Sequence, residues 1–285
     1  MNHPPMFTDD PELDPEMNDG GAMLDRRPQT VLMAEMTWPE YAALVLERVV
    51  ILPVGSTEQH GPHLPLGSDA LAVAEVALRV GNQIGAIVAP TIPYGYRSAP
   101  RSGGGELFAG TTSLTGETLI HVVRDVLTAL VRHGARRIVV LDGHYENNMF
   151  LHEGIHLVLD DGAPPDLRIM KILWVDPIQQ KTLDRAWPDG FPGWALEHAA
   201  HLETSLMLAA RPDLVRMDAV PSDGGDAFPV YDMYPQLDGF VPASGVLSDP
   251  SRASAEAGND LLDDSVAGVA AAIRAEFGDA VPGAA

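Results

Sequence analysis

Val49-Val50-Ile51-Leu52-Pro53-Val54-Gly55-Ser56-Thr57-Glu58-Gln59-His60-Gly61 decides how the rest of the chain is read. Its first half is an uninterrupted apolar run, which predicts a strand buried on both faces. Its second half turns polar at once and carries a carboxylate and an imidazole with one residue between them. Open α/β sheets place their ligands at the carboxyl ends of buried parallel strands. The pattern recurs downstream. Arg136-Arg137-Ile138-Val139-Val140-Leu141 predicts another buried strand, and Asp142-Gly143-His144-Tyr145-Glu146-Asn147 follows it. In an extended segment, side chains at i and i+2 point to the same side, so each His/Glu pair is expected to enter one polar pocket.

Asp69 lies shortly after the first pair. Glu58, His60, Asp69, His144 and Glu146 together make a mixed nitrogen and oxygen ligand set. Burying three acids and two imidazoles without a compensating cation is costly. The set therefore predicts one or two borderline divalent ions, zinc or manganese. With two ions a carboxylate must bridge, and Asp69, the odd member beside two pairs, is the natural bridge. Asp69 also suits the plainer role of a helix N-cap. Such ions make water a nucleophile at neutral pH, and a leaving nitrogen then needs a proton. His198 is the candidate donor, with a core or capping histidine as the competing reading. Glu203 is a candidate for orienting that region, or simply a locally paired helical acid.

Outward from these stretches, strands alternate with helices. Thr37-Trp38-Pro39-Glu40 resembles a capping box, with a short helix to about Leu46. A helix is expected over roughly 69–83, and a short strand over Gly85–Pro90. A long loop from about Ile92 to Gly116 contains Tyr94-Gly95-Tyr96 and Ser102-Gly103-Gly104-Gly105. A phosphate cradle there is disfavoured because no Gly-Lys-Ser/Thr follows. Helices are expected over 116–133 and 147–160, and a fourth strand over Leu167–Trp174. The stretch Asp176–Gly193 reads as irregular, and the next helix as carrying Glu197, His198, His201, Glu203 and Thr204. Residues 213–250 read as an irregular excursion, and 251–277 as a closing helix. The fold class is α/β: one domain, a largely parallel β-sheet flanked by helices. Residues 1–29, acidic and rich in Pro and Gly, are expected to form a disordered arm, with 30–285 as the domain.

Composition sets limits. The 285 residues hold 18 Lys+Arg against 40 Asp+Glu, a net charge of −22. That argues against nucleic-acid and anionic-membrane partners and suits a small-molecule substrate. Cysteine is absent, so any metal is held by imidazole, carboxylate or water. No apolar run reaches transmembrane length, and Met1-Asn2-His3-Pro4-Pro5 lacks the pattern of a secretory signal. The expectation is a cytoplasmic enzyme.

These residues resemble the creatininase family from about Val31 to Phe277. The carrying motifs are Pro53–Gly61, Ser68-Asp69, Tyr94–Ser98, Ser102–Gly105 with Gly110–Leu114, His133–Arg137, Asp142–Asn147, Gly193-Trp194 with Glu197-His198, and Glu203–Leu208. Tyr145-Glu146 replaces the Gly-Gly pair of many members and resembles the form in creatininases proper. The resemblance implies a homohexamer built as a trimer of dimers. It implies two Zn or Mn ions per subunit, one held by Glu58, Asp69 and His144, the other by His60, Asp69 and Glu146. It implies reversible opening of creatinine to creatine by metal-activated water, with His198 and Glu146 catalytic. Ser98, Tyr145, Trp194, Trp174 and Glu203 would line or support the substrate pocket. Two positions depart on the substrate side: Ala195 follows Trp194 where creatininases carry an acid, and Val175 separates Trp174 from Asp176. The alternatives are a hydrolase of the same chemistry on another cyclic amide, formamide, short peptide or ring ketone, and a non-catalytic ligand-binding module.

Overall fold

The computed structural model describes residues 30–103, 105–225, 230–236 and 239–278. The expected arm over 1–29 lies outside the described residues. Helix α1 (Trp38–Val45) opens on a capping box, with Glu40 accepting from the Thr37 backbone N–H at 2.7 Å. Among the described residues four parallel strands follow: β1 (Val50–Val54), β2 (Ile87–Val88), β3 (Arg137–Asp142) and β4 (Arg168–Leu173), in the order β2-β1-β3-β4. Register runs from Val50 opposite Ile138 to Val54 opposite Asp142, so the two motif-bearing strands are neighbours and end level.

The strand residues sort by alternation. Val49 and Ile51 join a core under α2 (Ser68–Ile84), α6 (His201–Ala210) and α7 (Ala255–Phe277). Val50, Leu52 and Val54 join the opposite core, under α3 (Gly116–Arg132) and α4 (Asn148–Asp160). Every residue of β1 is buried, which is why its sequence is continuously apolar rather than alternating. The chain leaves β1 into α2 on one face and β3 into α4 on the other. The crevice between β1 and β3 is therefore a topological switch point, where such sheets bind ligands.

Several expectations need correction. The stretch Asp176–Gly193 is not wholly irregular: α5 (Gln180–Ala186) forms within it and buries Thr182 and Leu183. The next helix begins at His201, so Glu197 and His198 precede it. Ala199 has a left-handed φ of 53°, which breaks the helical path immediately after His198. Its N–H donates to the Glu203 carboxylate at 2.6 Å, and the Leu202 N–H donates to Glu197 at 2.9 Å. The orphan donors of the helix start are thus met by acids from within and before it. The second His/Glu pair is not extended either, because Tyr145–Asn147 is a turn of 3-10 helix. Among the described residues no helix is long and apolar enough to cross a membrane.

Candidate metal centre

The centre lies just beyond β1 and β3 and is closed on one side by the first turn of α2. Glu58, His60, Asp69 and His144 are almost wholly buried. Asp69 occupies that first turn, one residue inside the helix start at Ser68. Gly55 lets the turn come close, since a Cβ there would lie 2.5 Å from Ala70 Cα.

Each imidazole is oriented by a backbone carbonyl. His60 Nδ1 lies 3.1 Å from the Glu58 carbonyl and donates to it. Its Nε2 then faces Asp69 Oδ1 at 3.2 Å and Glu203 Oε2 at 3.6 Å. His144 Nε2 donates to the Tyr96 carbonyl at 3.0 Å. Its Nδ1 faces Asp69 Oδ2 at 3.1 Å and Glu58 Oε1 at 3.4 Å. An outer nitrogen fixed on a carbonyl and an inner nitrogen turned to carboxylates is the arrangement of a metal-ligating histidine. Asp69 therefore presents one oxygen to each imidazole, and its Oδ2 has no well-formed hydrogen bond.

The electrostatics point the same way. Burial pushes the Glu58 carboxyl up to about 8, against the pull of His144 and His60. Burial also raises Glu203, to about 7. Burial alone would depress the His60 imidazole, but Asp69 and Glu203 outweigh it and hold it up to about 10. His144 is raised in the same way by Glu58 and Asp69. Burial opposes ionisation of Asp69, yet His60 and His144 hold it well below the usual carboxylate range. Positive charge, protonic or metallic, is what this cluster requires. Its donor set fits two divalent cations sharing Asp69.

Among the described residues, three clusters have ligand atoms close enough to hold an ion: Glu58 with Asp69 and His144, His60 with Asp69 and Glu203, and Glu58 with His60 and His198. Glu203 thus stands with His60 and Asp69. Glu146 stands on the His144 side, its Oε2 3.5 Å from His144 Nε2. Its Oε1 accepts from Ser102 Oγ and from the Ala99 N–H. Ser98 Oγ donates to Glu58 Oε2. His198 Nδ1 lies 3.5 Å from Glu58 Oε1, and its ring lies 4.5 Å from that of His60. Tyr145 is 74% exposed. Trp194 is partly exposed and packs edge-on against Phe191, with ring centres 4.9 Å apart. Trp174 is instead 4% exposed within the core, lining a small cavity with Asp69, Glu203 and Leu206.

Four contributors were not anticipated from the sequence: the glycine run, Asp142, Lys171 and Gln59. The glycine run serves close approach: a Cβ on Gly103 would lie 2.7 Å from Ser98 Oγ and 2.9 Å from Glu58 Oε2. Behind His144, buried Asp142 accepts from the His144 N–H and pairs with Lys171 Nζ at 3.2 Å. Gln59, between two candidate ligands, is itself buried. The glycine run and the position of Asp142 before Gly143-His144 were visible signals. Lys171, on a neighbouring strand, had none.

A doubly wound parallel sheet with a buried carboxylate and imidazole cluster at its switch point defines the class of α/β metal-dependent hydrolases. Comparison with known proteins narrows the class. A creatininase (creatinine amidohydrolase) family profile matches residues 34–273, and the chain belongs to that family. It is 44% identical over 255 residues to the creatinine amidohydrolase of Pseudomonas putida, covering 87% of this chain and 98% of that one. It is 33% identical to the mycofactocin precursor peptide peptidase of Mycolicibacterium smegmatis, covering 79% and 84%. A glutamate-to-glutamine variant of creatininase complexed with creatine superposes with a TM-score of 0.85 at 44% identity, covering 87% and 99%. Similar structures include a manganese creatininase and a zinc–zinc form of that glutamine variant.

Proposed function

We propose that this chain is a creatinine amidohydrolase, opening the cyclic amide of creatinine to creatine, reversibly, at a centre of two divalent ions. The observation that carries the reading is Asp69, whose two carboxylate oxygens face two differently tethered imidazoles. Glu58, Asp69 and His144 would hold one ion. His60 and Asp69 would hold the other with Glu203, which the geometry favours, and Glu146 would complete the set from the His144 side. When bound, zinc or manganese ions lower the pKa of water and polarise a carbonyl oxygen.

The chain's own residues do the rest. Glu58 and Asp69 supply the carboxylate oxygens that would bind the cations, displacing the protons the buried cluster otherwise holds. Ser98 holds the Glu58 carboxylate in place. His198 takes a proton as the water oxygen bonds to the ring carbonyl carbon. It returns that proton to the ring nitrogen as the C–N bond breaks. The second proton of the water passes from the new carboxyl to the guanidino group, so the product is a carboxylate and a guanidinium. Tyr145 and Trp194, at the open side, would cover the flat substrate and exclude water.

Buried Trp174 and uncharged Ala195 favour a second reading, the same hydrolysis on a different small amide. Turnover of creatinine by the zinc- or manganese-loaded protein separates the two. Creatine formation well above a chelated control supports the first. Its absence, alongside hydrolysis of another cyclic amide, replaces it.

We also propose a homohexamer working in the cytoplasm, with residues 1–29 as an arm outside a 30–285 domain. Exposed Trp38, Leu46 and Met149 supply apolar surface that assembly would cover.

A further inference from the structure

We propose that Gln59 is a positioning residue that fixes both the tautomer and the orientation of His198, making Nδ1 the nitrogen that exchanges protons. This rests on the proposed role of His198 above. Gln59 is 4% exposed, and its carboxamide has one possible orientation. Oε1 accepts from the Gly61 N–H at 2.8 Å. The amide nitrogen therefore faces the Gly103 carbonyl at 2.8 Å and the Gly245 carbonyl at 3.0 Å. Both carbonyls only accept, and together they use both amide hydrogens.

His198 Nε2 lies 2.9 Å from this amide nitrogen and 2.9 Å from the Gln59 backbone carbonyl. With no amide hydrogen left to receive, Nε2 carries the ring proton and donates it to the carbonyl. Nδ1 is then bare and faces the centre, 3.5 Å from Glu58 Oε1. The same residue also pins the surroundings of His198. The Leu247 N–H donates to the His198 carbonyl at 3.1 Å, two residues beyond the Gly245 that Gln59 holds. Gln59 thus joins the loop after β1, the glycine-rich loop and the segment carrying Gly245 and Leu247 around one imidazole. Gly245 is fitted to it: φ is +77°, and a Cβ there would lie 2.3 Å from Gln59 Oε1.

The role is a conditional one. A displaced imidazole costs turnover without costing metal or substrate affinity. Gln59→Leu should lower kcat for creatinine about 100-fold, with KM and bound zinc unchanged. In a His198→Asn background the same change should cost nothing further, because Gln59 acts through His198. Additive losses, or loss of zinc from Gln59→Leu, overturn the proposal. Should Gln59→Leu not fold, Gly245→Ala presses on the same carboxamide and must give the same pattern. A second readout needs no turnover. In zinc-loaded protein labelled with 15N-histidine, the resonance lost in His198→Asn should show its proton on Nε2, and a proton on Nδ1 refutes the assignment. If wild-type protein leaves creatinine untouched while this tautomer is seen, the substrate reading has failed and the positioning has not.

Discussion

Replacing Lys171 by methionine tests whether the buried charge behind His144 is held as described. Asp142 is fully buried, and the side chain of Lys171 is 11% exposed. The ammonium lies 3.2 Å from Asp142 Oδ2 and donates to Asn148 Oδ1 at 2.6 Å. The other oxygen, Oδ1, receives the His144 N–H at 3.2 Å and Asn147 Nδ2 at 3.4 Å. Methionine keeps the stem and removes the charge, leaving a carboxylate in the sheet with no cation. Breaking a buried pair from one side costs roughly 3–5 kcal/mol. The partial exposure of Lys171 puts the expected loss at the low end, about 3 kcal/mol. For a chain of this size that is a fall in Tm of about 6–12 °C.

The loss should depend on pH, with a definite sign. Burial already raises the Asp142 carboxyl, and Lys171 opposes the rise. Without Lys171 it rises further. A carboxyl whose folded pKa exceeds its unfolded value binds protons more tightly when folded, so stability falls as pH climbs between the two values. The deficit of the variant is therefore smaller at about pH 5 than at about pH 8, because it grows as pH climbs past the Asp142 carboxyl of the wild type toward the further-raised one of the variant. Urea midpoints of metal-free wild type and variant, compared at both pH values, measure this directly. Because Asp142 anchors the His144 backbone, zinc affinity should also fall by roughly 10- to 100-fold. A loss under about 1 kcal/mol, or one that does not grow with pH, would show that no charged carboxylate is buried there.

Other consequences follow from the same geometry. Gly143→Ala would bring a Cβ to 2.7 Å from Val73 Cβ and 3.0 Å from the Asp69 carbonyl. It should cost about 1–3 kcal/mol in urea unfolding and weaken zinc binding, because β3 and the first turn of α2 are pushed apart. Leu206→Ala, at a position 1% exposed, should cost about 2–5 kcal/mol in the same assay while leaving metal stoichiometry intact. His198→Asn should lower kcat for creatinine by roughly 10²- to 10⁴-fold with metal content unchanged. A fall in bound metal would make His198 a ligand rather than a proton carrier.

The sheet was legible because burial on both faces writes itself as continuous apolar sequence, as in Val49–Val54 and Ile138–Leu141. Placing both polar motifs at strand ends then located the crevice. What stayed hidden depends on contacts distant in sequence. The short helix α5 is masked by the Pro and Gly residues just after it. The start of α6 is set by Ala199 turning left-handed and by Glu197 and Glu203 capping it. No Ser, Thr, Asn or Asp N-cap marks that start, so the Ala-rich stretch reads as continuous helix. Spacing alone could not sort Glu146 from Glu203, because their grouping depends on where a 3-10 turn and α6 aim two carboxylates. Trp174 has both characters: it is 4% exposed within the core, yet it lines a small cavity with Asp69 and Glu203.

In the proposed centre Asp69 is shared between two cations. The most direct measurement is metal content per chain after equilibrium dialysis against zinc, for wild type and Asp69→Ala together. Two zinc ions per wild-type chain and fewer than one for the variant are expected, since both positions lose a ligand at once. Two retained ions in Asp69→Ala, or a wild-type protein that binds none, would contradict that sharing.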